Sequence, residues 1–122
     1  MRTLNDYFLT SSLEAAADGG NIVIAVPDGG TITEVWICGN TVPTGGNSFA
    51  NIYVRRGSTE TTVKDGSGST LAPTLTADVD YTAVEYAASD NEVAAGDYIR
   101  AAFNSAPTGG MTVGGITVVI RR

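Results

Sequence analysis

Hydrophobic and polar residues alternate along most of this chain with a period of two, which is the pattern of β-strands with one buried face. Clusters of Gly, Pro, Asn and Asp interrupt the alternation and favour turns. Four segments have the clearest pattern, and each predicts a core-facing set of side chains. These sets are Ile22, Ile24 and Val26; Ala50, Ile52 and Val54; Ile99, Ala101 and Phe103; and Ile116, Val118 and Ile120.

Two further segments, residues 31–38 and 80–87, are predicted strands with less clear faces. Arg56-Gly57 predicts a tight hairpin that leads into a strand over 59–63. About eight short strands separated by such turns predict an all-β fold, an antiparallel sandwich of jelly-roll or Greek-key type. We expect residues 1–18 to form an N-terminal arm and residues 19–122 to form the single sandwich domain.

Composition narrows the function classes. With 122 residues, the chain has the length of one domain, and its 43% hydrophobic and 16% charged residues argue against disorder. The net charge of −6 argues against a nucleic-acid partner, because phosphates require a field of Lys and Arg. No apolar run is long enough to span a bilayer, and the first residues lack the apolar segment of a secretory signal. We therefore expect a protein made in the cytoplasm, with no membrane partner.

One residue type on which many catalytic and metal sites depend is missing. The chain contains no histidine, which removes Ser-His-Asp and Cys-His nucleophile activation and all His-ligated metal sites. The single cysteine, Cys38, is interpreted as a structural residue of its strand, behaving as a small hydrophobe. The acidic residues between 78 and 97 predict a solvated rim, with a weak cation site at Asp78 and Asp80 as the alternative. We expect no enzyme, no cofactor and no metal.

Two aromatic features leave alternatives open. Trp36 shares a strand face with Glu34, which favours exposure and a sugar-stacking role, but tryptophan in mid-strand more often belongs to a core. Residues 7–9 (Tyr-Phe-Leu) cannot all face one core if they are extended. This segment is either a strand covered on both faces or a strand whose second face packs on another chain. Outward apolar residues at Val23, Ala25 and Val119 also suggest subunit contacts.

Four short stretches carry a resemblance to a known family. They are MRTLNDYFLT at 1–10, VPDGG at 26–30, VAAGDYI at 93–99 and VVIRR at 118–122. Together they resemble small virion proteins of tailed bacteriophages, most closely the jelly-roll capsid decoration proteins. The resemblance covers both ends of the chain and two interior turns, and it is vague between residues 57 and 77.

The resemblance implies a virion structural protein on the outer capsid surface. It would bind the major capsid protein as a homotrimer and cement capsid subunits at three-fold or quasi-three-fold positions. Within that picture, the partner-binding candidates are Arg2, Leu4, Tyr7, Phe8, Leu9, Arg121 and Arg122. The alternatives are a glycan- or receptor-binding module of a phage fibre or spike, with Trp36 as its stacking residue, and another minor neck or tail protein.

Overall fold

The computed structural model describes residues 5–14, 21–39, 48–76, 82–103 and 113–122. In these ranges the chain forms eleven strands, and no helix there is long and apolar enough to cross a membrane. The strands are β1 (Asp6–Glu14), β2 (Asn21–Ala25), β3 (Gly30–Gly39), β4 (Ser48–Arg56), β5 (Thr59–Thr62), β6 (Lys64–Asp65), β7 (Thr74–Leu75), β8 (Thr82–Ser89), β9 (Glu92–Val93), β10 (Tyr98–Phe103) and β11 (Val113–Arg121).

The strands form two antiparallel sheets. The first sheet has the order β1-β11-β3-β8-β6, with β9 also paired to β3, and the second has the order β2-β10-β4-β5, with β7 also paired to β4. Eight of the strands are four or more residues long. Numbered along the chain, these eight run 1-8-3-6 in one sheet and 2-7-4-5 in the other, which is the strand order of a jelly roll. The predicted all-β antiparallel sandwich is confirmed.

The core lies between the sheets, where the sequence pattern predicts it. Of the twelve predicted core-facing residues, all those with described side chains are buried except Ile22. Ile22 is partly exposed and packs against the core cluster. The side chain of Phe103 lies outside the described residues. The predicted hairpin is also present, with Gly57 (φ 59°) as the first residue of a two-residue turn that pairs Arg56 with Thr59.

A β-bulge explains why the faces of β3 are hard to assign from sequence. Ile32 and Val35 are both fully buried although they are three residues apart. Ile32 pairs with Ile120 and Glu34 pairs with Val119, so Thr33 is the extra residue. The bulge moves the alternation by one position, and both ends of β3 therefore present apolar residues to the core.

In β8 the small and acidic residues face the core and the larger apolar residues face outward, which is the reverse of the usual amphipathic strand. Ala83 and Ala87 pack against the core, and Glu85 stands on that same face opposite Val35. The larger apolar residues Val84 and Tyr86 consequently face outward. Large apolar groups on the outer face of a strand need a physical reason, because water normally covers that face.

The N-terminal arm is a correction to the sequence analysis. Asp6–Glu14 is not an arm but an edge strand of the first sheet, and all nine of its residues pair with β11. Tyr7 and Leu9 of this strand pack against the core cluster, and the burial of their side chains stabilises the segment in the sheet. The rest of the predicted arm, residues 1–4 and 15–18, lies outside the described residues.

Candidate functional site

The outer side of the first sheet presents rows of residues that pair directly across β1, β11, β3 and β8. Because successive side chains of a strand point to opposite faces, every residue of these rows stands on the side away from the core. We call this surface the outer face. Its rows are Phe8, Val119, Glu34 and Tyr86; then Thr10, Thr117, Trp36 and Val84; then Gly115, Cys38 and Thr82.

The outer face carries almost no charge. Among the residues in the rows of the outer face, Glu34 alone has an ionisable acidic or basic side chain of the carboxylate, Lys or Arg type. Its Oε1 accepts a hydrogen bond from Trp36 Nε1 at 3.2 Å. Phe8 is 52% exposed and Tyr86 is 62% exposed at the two ends of the first row. Between them, Val119 is 0% exposed and lies outside the core cluster, which fits its position between direct neighbours on both sides.

A recess lies beside Trp36 on this face. It has a volume of about 470 Å³ and is lined by Trp36, Ile37, Cys38, Thr82, Gly115 and Thr117. Trp36 is therefore a partly buried residue of the outer face, and of the two positions that the sequence left open it has the one outside the core. The thiol of Cys38 is exposed here, so this cysteine does not act as a core hydrophobe.

The outward side of the second sheet is chemically different. Arg100 forms a bidentate ion pair with Glu60 at 2.8 and 2.9 Å, and its Nη1 donates to Asn21 Oδ1 at 2.7 Å. The same guanidinium stacks 4.2 Å from the centre of the Tyr53 ring. The hydrogen bond from Arg100 lowers the pKa of the Glu60 carboxyl. The charged groups of Arg100 and Glu60 on this side therefore pair with each other within the chain.

Outward apolar residues of the second sheet stand among those polar groups. Val23 is 58% exposed and pairs directly with Arg100, and Ala25 is exposed beside Tyr98. These two predicted contact residues do not join the outer face of the first sheet. Single exposed apolar residues of this kind are common on soluble proteins and need no partner.

The C-terminal arginines meet the first strand at one corner of the sandwich. Arg122 lies over the Tyr7 ring at 5.0 Å and pairs with Asp28 Oδ2 at 2.8 Å, while the Tyr7 hydroxyl donates to the Asp28 carbonyl oxygen. Burial and the Asp28 charge raise the pKa of Tyr7, and Arg122 opposes this rise. Arg121 Nε lies 3.1 Å from Asp6 Oδ1. Both arginines are thus engaged in ion pairs within the chain.

The predicted partner-binding residues therefore separate in space. Tyr7 and Arg122 meet at the corner, and Leu9 points toward the core. Phe8 belongs to the outer face, and Arg121 stands on the same side one row further along, where it pairs with Asp6. Arg2 and Leu4 lie outside the described residues. Sequence reasoning missed Val84, Tyr86 and Gly115. The signals present were the inverted alternation of β8 and the glycine inside β11, because a glycine in mid-strand often marks the close approach of another group.

A second depression of about 480 Å³ lies at one end of the sandwich, lined by Val54, Arg56, Thr59, Thr61, Asp90, Asn91 and Glu92. Its carboxylates are not arranged as ligands: within the described ranges, no three His, Cys, Asp or Glu side chains are grouped closely enough to hold a metal ion. The predicted weak cation site at Asp78 and Asp80 falls outside those ranges.

No protein-family model matches this sequence, and no curated protein is significantly similar to it.

Proposed function

We propose that this protein is a non-catalytic binding protein that attaches to a larger protein assembly through the outer face of its first sheet. The observation that carries the proposal is the contrast between the two sides of the sandwich. The rows that bear Phe8, Trp36 and Tyr86 contain a single charged group, the Glu34 carboxylate, whereas the outward side of the second sheet carries the Arg100–Glu60 ion pair internal to the chain.

The chemistry of the outer face favours a protein partner. The buried centre of a protein–protein interface is depleted of charged residues and enriched in aromatic ones. Nucleic acid would require basic residues, and the rows of the outer face contain none. The outward placement of Val84 and Tyr86 also costs solubility, a cost that a covering partner would remove.

For the identity of the assembly, we follow the resemblance of the sequence and propose the capsid of a tailed bacteriophage, decorated from outside. Jelly rolls build viral capsid proteins as well as lectins, so the fold is compatible with this role without selecting it. A homotrimer would multiply a weak contact through valency, as cementing requires.

The copy number of the chain in purified particles tests this proposal. Quantitative mass spectrometry of particles should give a ratio to the major capsid subunit that is comparable with one. Absence from particles would overturn the proposal. A ratio tiny by comparison would overturn the decoration role and favour a minor neck, tail or fibre component.

A second candidate, a glycan-binding module, is favoured by the position of Trp36 in an open recess between Thr82 and Thr117. An indole face and nearby hydroxyls can bind a sugar ring. Trp36 is the only tryptophan, so its fluorescence reports on this recess directly. Saturable quenching by a glycan would support this candidate, and its absence across a panel of host surface glycans would reject it.

A further inference from the structure

We infer that the recess beside Trp36 receives an uncharged, apolar side chain from the protein partner. This inference rests on the proposed function and deepens it, because it assigns the anchor point of the contact and the chemistry of the group that occupies it. The recess is the one lined by Trp36, Cys38, Thr82, Gly115 and Thr117, with Ile37 beneath them.

Gly115 creates the space. A Cβ atom at this position would lie 3.6 Å from Cys38 Sγ and 3.7 Å from the carbonyl oxygen of Ser11, which are ordinary contacts. Gly115 is also outside the left-handed backbone region, so neither sterics nor φ requires glycine there. Glycine weakens a strand interior relative to residues with side chains. The absence of a side chain at Gly115 leaves the volume of the recess open next to the Trp36 ring.

The walls select the chemistry of the occupant. Apolar atoms dominate the lining, and the indole N–H of Trp36 already donates to Glu34. The hydroxyls of Thr82 and Thr117 are the main other polar groups of the lining. No lining residue is charged, although the chain as a whole carries a net charge of −6. A charged group of the partner inside the recess would meet no opposite charge in the lining, and for this reason the inserted group is neutral.

The size of the outer face argues against a second copy of this chain as the occupant. Four strands spaced about 4.8 Å apart and six residues rising about 3.4 Å each give a face of about 400 Å². Stable specific pairs bury roughly 800 Å² on each partner. Two copies joined through this face alone would fall short of that area. A larger assembly that binds many copies at once does not need a tight single contact.

Cys38 makes the inference testable without mutation, because it is exposed, lines the recess and is the only cysteine. Empty heads assembled from the major capsid subunit of the phage that carries the gene are the probe. Alkylation of Cys38 by iodoacetamide is followed by mass spectrometry for the protein free and bound to heads. Bound protein should react at least about tenfold more slowly, because the inserted side chain covers the thiol.

Filling the recess should abolish the contact. Protein alkylated at Cys38 beforehand, and the Gly115→Val variant, should each bind heads at least about tenfold more weakly. The matched control is Ala25→Val, which adds similar bulk on the exposed side of the second sheet and should leave binding unchanged. Cys38→Ser protein exposed to the same reagent controls for alkylation elsewhere. If Gly115→Val fails to fold, the alkylated protein carries this test alone.

The outcomes separate this inference from the proposed function. Failure of unmodified protein to bind heads overturns the proposed function, and the recess with it. A second outcome overturns only the inference about the recess. In it, the protein binds heads, Cys38 reacts equally fast in the free and bound states, and Gly115→Val binds fully. Protection of Cys38 by a glycan, or by raised protein concentration without heads, also overturns it and identifies the occupant as a sugar or a second copy.

Discussion

Arg56 and Asp97 form a two-pronged ion pair, with Arg56 Nε 2.9 Å from Asp97 Oδ1 and Nη2 2.8 Å from Oδ2. Asp97 is only 4% exposed, and its Oδ2 also accepts a hydrogen bond from the backbone N–H of Ala94 at 2.8 Å. One carboxylate thus closes the turn before β10, where Gly96 has φ 93°, and ties that turn to the end of β4. This contact explains physically why Gly-Asp precedes the strand.

Replacing Asp97 with Ala should destabilise the fold. The change leaves the Ala94 N–H and the Arg56 guanidinium without their acceptor, and we expect a loss of about 1–3 kcal/mol in the free energy of unfolding. Denaturant titration measures this loss. The control is Arg122→Ala, whose partner Asp28 is exposed, and it should cost less than about 1 kcal/mol. Equal losses in the two variants would contradict a special role for the Asp97 contact.

Acid should weaken the protein partly through the same residue. The hydrogen bond from Arg56 holds the pKa of the Asp97 carboxyl below its ordinary value of 3.8. A carboxyl with a lowered folded-state pKa contributes stability that is present above the unfolded value and disappears as the pH falls through the folded value. The free energy of unfolding should therefore drop below about pH 4. Asp97→Ala should show a shallower drop over that window, and an unchanged slope would refute the assignment.

Glu85 should contribute to the pH dependence with the opposite sign. Burial raises the pKa of its carboxyl, and the neighbouring Asp65 raises it further, although the N–H of Ala72 donates to it at 2.9 Å. A raised folded-state pKa favours the folded state at low pH, and this contribution is lost as the pH rises through the folded value.

Glu85→Gln should accordingly be more stable than the natural protein near neutral pH, by about 0.5–1 kcal/mol. The difference should shrink as the pH falls through the raised folded-state pKa of Glu85, and it should be gone below the ordinary value of about 4.3, where the carboxyl is protonated in both the folded and the unfolded state. Thermal unfolding across this range measures the effect. Glu85→Ala is the contrasting variant: it also removes the acceptor of the Ala72 N–H and should be less stable at every pH. A Gln variant that is less stable than the natural protein at neutral pH would contradict the argument.

Gly30 should tolerate no side chain. A Cβ atom there would lie 2.6 Å from both the Arg121 carbonyl oxygen and Ile120 Cγ2, at the point where β3 meets β11. Relief of that overlap requires the two strands to separate, so Gly30→Ala should cost about 3 kcal/mol. The control is Gly66→Ala, because nothing lies within 4 Å of a Cβ at that position. Similar unfolding midpoints for the two variants would disprove the expected clash.

The N-terminal segment should separate into stabilising and partner-facing residues. Leu9 packs against the core and Phe8 does not, so Leu9→Ala should lower the free energy of unfolding by about 2 kcal/mol and Phe8→Ala by less than about 1 kcal/mol. Phe8→Ala should still weaken attachment to heads. Deletion of residues 2–9 would remove part of β1, so a loss of attachment to heads could not be separated from a loss of fold stability. Full attachment by the Phe8→Ala variant would remove this residue from the contact.

The faces of individual strands could be predicted from sequence because alternation is local. Ile52 and Val118 are buried as their patterns require, and no knowledge of their neighbours was needed. The bulge at Thr33 could not be predicted, because it is defined by the pairing of β3 with β11, a strand distant in sequence. The place of Asp6–Glu14 at the edge of the sheet depends on the same distant strand.

The sequence by itself determined an acidic, all-β sandwich without histidine chemistry, and most of its core, because composition and period-two patterning follow from each segment alone. Only the tertiary structure decided which outward residues share a surface. Phe8, Trp36 and Tyr86 come from three different strands, and the register of those strands, set by hydrogen bonds between distant segments, brings them onto one face.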